Sequence, residues 1–133
     1  FLHVGFAHLI ANTVPFLVLG WIIMARSLKD FWLVLLISTL VSGLGVWLTA
    51  PPNTVHLGAS GVIFGFLGFL LMRGYFERSA KSIVIALLVG FFFGSALWGV
   101  LPLQSGVSWQ GHLFGFVGGG IAARLLSDRR KTA

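Results

Sequence analysis

The stretch that decides the fold is Phe31–Leu48, FWLVLLISTLVSGLGVWL, which contains no charged residue. Arg26, Lys29 and Asp30 stand just before it. A helix of about 20 apolar residues crosses the ~30 Å hydrocarbon core of a bilayer. This stretch therefore predicts a membrane-spanning helix that begins beside a charged segment.

The rest of the chain has the same composition. Of its 133 residues, 57% are hydrophobic and 9% are charged, and the mean hydropathy is +0.99. A soluble fold with so little charge would expose large apolar patches, so the composition excludes a soluble globular enzyme, and it equally excludes a disordered chain. The absence of cysteine excludes a disulfide framework, a cysteine-based zinc site and a thiol nucleophile.

Charge divides the chain into five apolar spans. The predicted spans are Gly5–Ala25, Phe31–Leu48, Ser60–Met72, Ser82–Leu101 and Gly111–Leu126. The loops Thr49–Ala59 and Pro102–Gln110 carry no charge, whereas the other connections and the tail are basic, so the positive-inside rule places the basic segments in the cytoplasm. The cations flank helix ends and form no basic face interleaved with aromatics, so nucleic acid is not an expected partner. We expect them to set topology and nothing more.

This pattern predicts an all-α, polytopic transmembrane bundle of five spans, organised as one domain over residues 1–133. We expect the chain to begin on the outer side with Phe1, and the sequence shows no signal-peptide pattern. We therefore expect an excerpt of a longer chain, with the C-terminus in the cytoplasm and a bacterial plasma membrane as the best match to the charge pattern.

Polar residues inside the membrane are functional candidates because they are costly to keep there. Counting from the first cytoplasmic cation of each span at ~1.5 Å per residue, Asn12, Ser60 and His112 lie at heights of roughly 21, 20 and 18 Å. Three polar side chains from three helices therefore reach one level, about 10 Å below the outer edge of a ~30 Å core. This predicts a site in a water-filled cavity open to the outside.

The helix faces support a site built on a serine. Ser60 is predicted to begin its span, where free backbone N–H groups and the helix dipole would stabilise an oxyanion. His8 and Asn12 are four residues apart and share a helix face. Gly61-x3-Gly65 and Gly111-x3-Gly115-x3-Gly119 allow close helix packing, which could bring Ser60 to His112. All three carboxylates lie at the cytoplasmic end, so a hydrolase here would use a Ser–His dyad.

Three ordered motifs resemble those of rhomboid intramembrane serine proteases. His3-VGFA-His8-LIA-Asn12 is similar to the family's H-x4-H-x3-N signature, and Gly58-Ala-Ser60-Gly61 to its GxSG motif. The glycine-rich helix that begins Gly111-His112 resembles the family's catalytic-histidine helix. The resemblance covers essentially the whole chain, which would be a rhomboid-like core lacking its first helix.

The resemblance implies an intramembrane serine endopeptidase that cuts other membrane proteins in or near their transmembrane segments, without cofactor or metal. It implies Ser60 as nucleophile and His112 as general base. His8, Asn12 and the Ser60 backbone N–H would form the oxyanion hole. The implied supporting residues are His3, Gly58, Gly61, Phe64 and Gly115. Phe64 stands where the family often has tyrosine, so its ring is expected to stack on the histidine without a phenolic hydrogen bond.

Two other readings remain open. One is a catalytically inactive rhomboid-like protein that binds transmembrane segments without cutting them. The other is a histidine-based metal, haem or transport site at the outer face, against which the missing carboxylates and cysteines count. His56, in an outer loop with no matching motif, is expected to be a solvated surface residue.

Overall fold

The computed structural model describes residues 5–56 and 59–131, and this part of the chain is all helical. The elements in order are α1 (Phe6–Arg26), α2 (Leu28–Thr49), α3 (Ser60–Glu77), α4 (Ala80–Phe93), a 3-10 helix (Gly94–Val100) and α5 (Trp109–Lys131). The predicted all-α membrane bundle is confirmed.

Serine hydroxyls define the starts of three helices. Ser27, Ser79 and Ser108 precede α2, α4 and α5, and each accepts a hydrogen bond of 3.1–3.2 Å from the backbone N–H three residues later. Each bond satisfies one of the donors that the first helical turn leaves without a partner. α3 ends at Arg78, whose left-handed conformation (φ 55°) stops the helix.

The centre of the bundle is α3, which is surrounded by the other four α-helices. Its residues 63–70 are buried without interruption. The outer helices instead direct large apolar side chains outward: Leu36, Leu40 and Leu44 on α2 are each more than half exposed. Such a surface is unfavourable in water but matches the lipid hydrocarbon around a membrane bundle.

Three segments are long and apolar enough to cross a membrane: Phe6–Arg26, Leu28–Thr49 and Ala80–Val100. By length and composition, the described residues thus support three of the five predicted spans, and crossing by α3 and α5 stays a prediction. α3 has 18 residues, and Arg73 and Glu77 occupy its last turns. The central position of α3 is explained by the burial of its side chains within the bundle. It is not explained by a surface that faces lipid.

The fourth predicted span, Ser82–Leu101, is α-helical only as far as Phe93 and continues as the 3-10 helix. Gly94 and Gly99 fall in this last part, and glycine has a weak preference for the α-helix. Because a 3-10 helix is tighter and rises further per residue, the change redirects the backbone carbonyls of this segment.

The three charged segments meet at one end of the bundle, here called the charged end. Glu77 accepts hydrogen bonds from Arg26 at 2.9 and 3.2 Å and from Arg130 at 2.9 Å. Arg130 also binds Asp30 at 2.7 Å, and Arg73 Nε lies 3.0 Å from Glu77. The expectation that these cations only set topology was wrong, since ion pairs join α1, α2, α3 and α5 here.

Candidate active site

The opposite end, here called the polar end, contains the N-termini of α3 and α5. The two helices are in backbone contact: a Cβ added to Gly115 would collide with the carbonyl of Gly61, and one added to Gly119 would collide with the carbonyl of Gly65. Only small residues allow so close an approach. The close packing predicted from the glycine runs is confirmed.

Ser60 is the first residue of α3, as the sequence predicts. It is half-buried and lines a cavity of about 240 Å³ at the polar end. The polar side chains that share this cavity are Thr39, Ser42, His56 and Ser108. The hydroxyl of Ser42 donates to the carbonyl of Gly111 at 2.9 Å, which joins α2 to the first turn of α5. Ser60 therefore opens onto a cavity between α2, α3 and α5.

His112 is held by two contacts in the first turn of α5. Its ring stacks on Phe64 with centroids 4.1 Å apart and an interplanar angle of 8°. Its Nδ1 lies 2.9 Å from the carbonyl oxygen of Gly99. Because a carbonyl only accepts, Nδ1 carries the proton in the neutral ring, and Nε2 is left as the basic nitrogen. The expected stacking of Phe64 on the histidine is confirmed.

Ser60 and His112 lie on adjacent faces of the packed helices. Phe64 is one turn after Ser60 on α3, so the ring that contacts His112 shares a face with the serine. Within residues 5–56 and 59–131, no hydrogen bond joins the Ser60 hydroxyl to the His112 ring. Such bonds are often long or poorly aligned without substrate and tighten in the complex.

Gly99 is a site residue that the sequence analysis missed. A Cβ there would lie 3.0 Å from His112 Nδ1 and 3.1 Å from Phe64 Cζ, so a side chain would press on both rings. Its carbonyl reaches His112 because the 3-10 helix brings it there. No motif marks this glycine, and its role depends on a contact across 13 residues.

The two predicted side-chain donors to the oxyanion, His8 and Asn12, lie one turn apart on α1. The Asn12 amide donates to the backbone carbonyl of His8 at 3.0 Å, one turn back on its own helix. His8 itself is exposed on the first turn of α1. Two of the predicted supporting residues, His3 and Gly58, lie outside the described residues.

The expectation that His56 is a solvated surface residue was wrong. It is half-buried, its Nδ1 lies 2.7 Å from Ser108 Oγ, and its Nε2 lies 3.0 Å from Thr54 Oγ1. The only local signal in the sequence is Thr54, a hydroxyl residue two positions before His56 in the same loop. The pairing across 52 residues appears only in the folded chain.

The acidic residues of the chain lie far from this site. Asp30 and Glu77 belong to the ion pairs of the charged end, and Asp128 pairs with Arg124 on α5. In the part of the chain that the structure describes, no three histidine or acidic side chains come together as ligands for a metal ion. The polar end thus offers hydroxyls, imidazoles and backbone N–H groups, which suit acyl transfer by a serine.

Comparison with known proteins assigns the chain to a family. Residues 1–129 match the model of the Rhomboid domain family. An uncharacterized protein of Mycobacterium tuberculosis is 45% identical over 140 residues, which cover 99% of this chain and 58% of that protein. A putative rhomboid protease of Bacillus subtilis is 29% identical over 98% of this chain and 65% of its own length.

A second Bacillus subtilis protein, named rhomboid protease GluP, is 32% identical over 94% of this chain but only 24% of its own length. The chain thus spans about 58% of the mycobacterial relatives and a smaller part of this one. No solved structure matches the chain.

Proposed function

Because this chain belongs to the rhomboid family, we propose that it is a serine endopeptidase that hydrolyses peptide bonds in or near the transmembrane segments of other membrane proteins. The observation that carries the proposal is the setting of His112. The ring stacks on Phe64 one turn from Ser60, and its Nδ1–H donates a hydrogen bond to the carbonyl of Gly99, which leaves Nε2 free to act as a base.

The proposed reaction uses two side chains. Ser60 Oγ attacks the carbonyl carbon of the scissile bond while its proton passes to Nε2 of His112. His112 then protonates the leaving amine, and the acyl group stays on Ser60 as an ester. A water molecule, deprotonated by His112, attacks this ester, and the returned proton restores the Ser60 hydroxyl. Stacking on Phe64 keeps the imidazole in one plane throughout.

The tetrahedral intermediate needs donors for its negative oxygen. The Ser60 backbone N–H is available because it belongs to the first turn of α3, at the positive end of the helix dipole. We propose His8 and Asn12 as the side-chain donors. Asn12 would exchange its bond to the His8 carbonyl for one to the oxyanion, which is a local rotation of its amide.

The remaining family residues receive supporting roles in this proposal. Gly61 and Gly115 allow the backbone contact that brings α5 to α3. Gly58 and His3 are proposed to support the serine turn and the cavity mouth respectively, on the basis of the family motifs alone. No cofactor or metal takes part in the proposed reaction.

We further propose that all five helices cross a bacterial plasma membrane, with the polar end facing outward and the C-terminus in the cytoplasm. The clustering of cations at the charged end supports this orientation. The partners would be the bilayer and a membrane-protein substrate that is cut near the outer end of its transmembrane segment. Small or helix-breaking residues there would help the segment to unwind.

The test is cleavage by the full-length protein in proteoliposomes, with a single-pass substrate that carries small residues near its outer end. We expect Ser60→Ala and His112→Ala each to abolish cleavage while thermal unfolding shows that both variants fold. Val55→Ala, in an exposed loop position, serves as the matched control and should cleave normally. Full activity in Ser60→Ala would overturn the proposal.

The second candidate is a non-cutting rhomboid relative that binds transmembrane segments. One observation favours this candidate: within the described residues, no hydrogen bond joins Ser60 to His112. Labelling with a serine-directed fluorophosphonate separates the two, because an activated Ser60 reacts and an inert one does not. A folded wild type that neither cleaves nor labels would favour the binding protein.

A further inference from the structure

One hydrogen bond connects the two segments that lead into the proposed catalytic residues. His56 precedes Ser60 by four residues, and Ser108 precedes His112 by four residues. The bond between His56 Nδ1 and Ser108 Oγ, 2.7 Å long, therefore joins the approach to α3 with the approach to α5. We call this pair the His56–Ser108 clasp.

The hydrogen-bond directions around the clasp fit a single arrangement. The Thr54 hydroxyl donates a hydrogen bond to the carbonyl of Pro51 at 2.6 Å. Its oxygen therefore accepts a hydrogen bond from His56 Nε2–H at 3.0 Å. His56 Nδ1 then carries no proton and accepts a hydrogen bond from the Ser108 hydroxyl. With the proton on Nε2, every donor and acceptor in this group has a partner. With the proton on Nδ1, the single hydroxyl proton of Thr54 would have to serve two acceptors, the Pro51 carbonyl and His56 Nε2.

Ser108 links His56 to His112, the proposed base, through two hydrogen bonds. Its oxygen accepts from the Gly111 N–H at 3.2 Å, and its backbone carbonyl accepts from the N–H of His112 at 3.1 Å. Ser108 is thus the N-cap of α5, and any displacement of it moves the turn that carries His112. The clasp also forms part of the wall of the cavity that Ser60 lines.

The glycine contacts alone do not fix how α3 and α5 are aligned. Gly61 and Gly115 meet backbone to backbone, so they set the distance between α3 and α5 but present no interlocking side chains to stop sliding or rotation. A hydrogen bond at the entrance to both helices supplies that constraint. Misplacement of catalytic groups by about 1 Å can cost about 100-fold in rate.

We propose that His56 is a positioning residue: through Ser108 it sets the register of His112 against Ser60. This inference rests on the proposed function. His56 does not touch the reacting atoms. Its removal therefore lowers the rate of the chemical step and leaves substrate binding unchanged.

The experiment measures kcat and KM of the full-length protein in proteoliposomes for His56→Ala, His56→Asn and Val55→Ala. We expect kcat to fall about 10- to 100-fold in His56→Ala, with KM unchanged. His56→Asn should recover most of the loss, because its Oδ1 occupies the position of Nδ1 and accepts from Ser108. Val55, the neighbouring residue, is 80% exposed, and Val55→Ala should match the wild type.

A second measurement tests the clasp without catalysis. Thermal unfolding is compared for His56→Ala, Ser108→Ala and the double variant, all in the Ser60→Ala background. The Tm loss of the double variant should be smaller than the sum of the two single losses, because both remove the same bond. Additive losses would overturn the clasp.

The outcomes separate the two proposals. A wild type that shows no Ser60-dependent cleavage overturns the proposed function, and the positioning role falls with it even if the Tm cycle still detects the bond. Normal wild-type cleavage with kcat of His56→Ala within twofold of the wild type overturns the positioning role alone. So does a His56→Asn variant that is as slow as His56→Ala.

Discussion

At the charged end, arginines and carboxylates from α1, α2, α3 and α5 are joined by ion pairs, whereas the polar end is held by hydroxyls, imidazoles and glycine backbone. Glu77 alone binds Arg26 and Arg130 and lies 3.0 Å from Arg73. Among the residues that the structure describes, the His112 ring contacts a backbone carbonyl and an aromatic ring at the polar end. The first arrangement favours stability, whereas the second is the one that the proposed mechanism needs for a reactive base and hydroxyl.

The difference has a physical origin. A carboxylate beside His112 would favour its charged form, and a cation beside it would favour the neutral form, so either would shift the protonation equilibrium of the base. The charged end has no proton to transfer, and its charges are partly buried and paired. If this contrast holds, changes at the polar end should reduce activity, and changes at the charged end should reduce stability alone.

The largest effect on cleavage is expected where the helices touch at the polar end. In Gly115→Ala, the new Cβ collides with the carbonyl of Gly61, and backbone cannot move aside as a side chain can. We expect a stability loss of about 3 kcal/mol, the upper part of the overpacking range, and cleavage lowered by about 100-fold or more. Thermal unfolding and cleavage assays measure both.

Gly120→Ala is the matched control on the same helix, because its Cβ would meet only Met72 Cγ at an ordinary 3.6 Å. It should behave as the wild type. A Gly115→Ala variant as stable and active as Gly120→Ala would show that α3 and α5 are not in backbone contact.

The next effect tests the charged end. Glu77→Gln removes the carboxylate that three arginines share and leaves Arg73, whose side chain is 5% exposed, without its counter-charge. We expect a loss of on the order of 3–5 kcal/mol in stability, while kcat of the folded fraction stays within twofold. A drop in kcat comparable to that of Gly115→Ala would break the division between the two ends.

A smaller effect is expected for the ring that supports the base. Phe64→Leu removes the stack on His112, worth about 0.5–1.5 kcal/mol for an aromatic pair, so kcat should fall roughly three- to tenfold. Phe64→Tyr keeps the stack and should remain near wild-type activity. Equal rates for the leucine and tyrosine variants would mean that the stack does not hold the imidazole in place.

The smallest effect is expected for an exposed pair on α5. Arg124 and Asp128 are 3.2 Å apart, with side chains 63% and 56% exposed. Asp128→Asn should cost less than about 1 kcal/mol and leave cleavage unchanged. A loss as large as that of Glu77→Gln would show that burial is not what distinguishes the charged end.

Sequence alone determined the class of the protein, the approximate helices and the identity of the proposed dyad. Hydrophobic runs and charge clusters mark membrane helices because the bilayer sets both their length and their flanks. The glycine spacing identified the α3–α5 contact because small-xxx-small runs have one main use in such helices. Motif order then selected Ser60 and His112 among the polar residues.

Tertiary structure alone decided how those residues are held. The carbonyl of Gly99 on His112, the His56–Ser108 clasp and the bonds of Arg26 and Arg130 to Glu77 all join positions 13 to 53 residues apart. Each depends on where one segment ends and how the next one turns back, and no local pattern encodes that. Helix spacing and periodicity report short-range geometry, whereas the packing of whole helices determines which distant side chain or carbonyl meets a given ring.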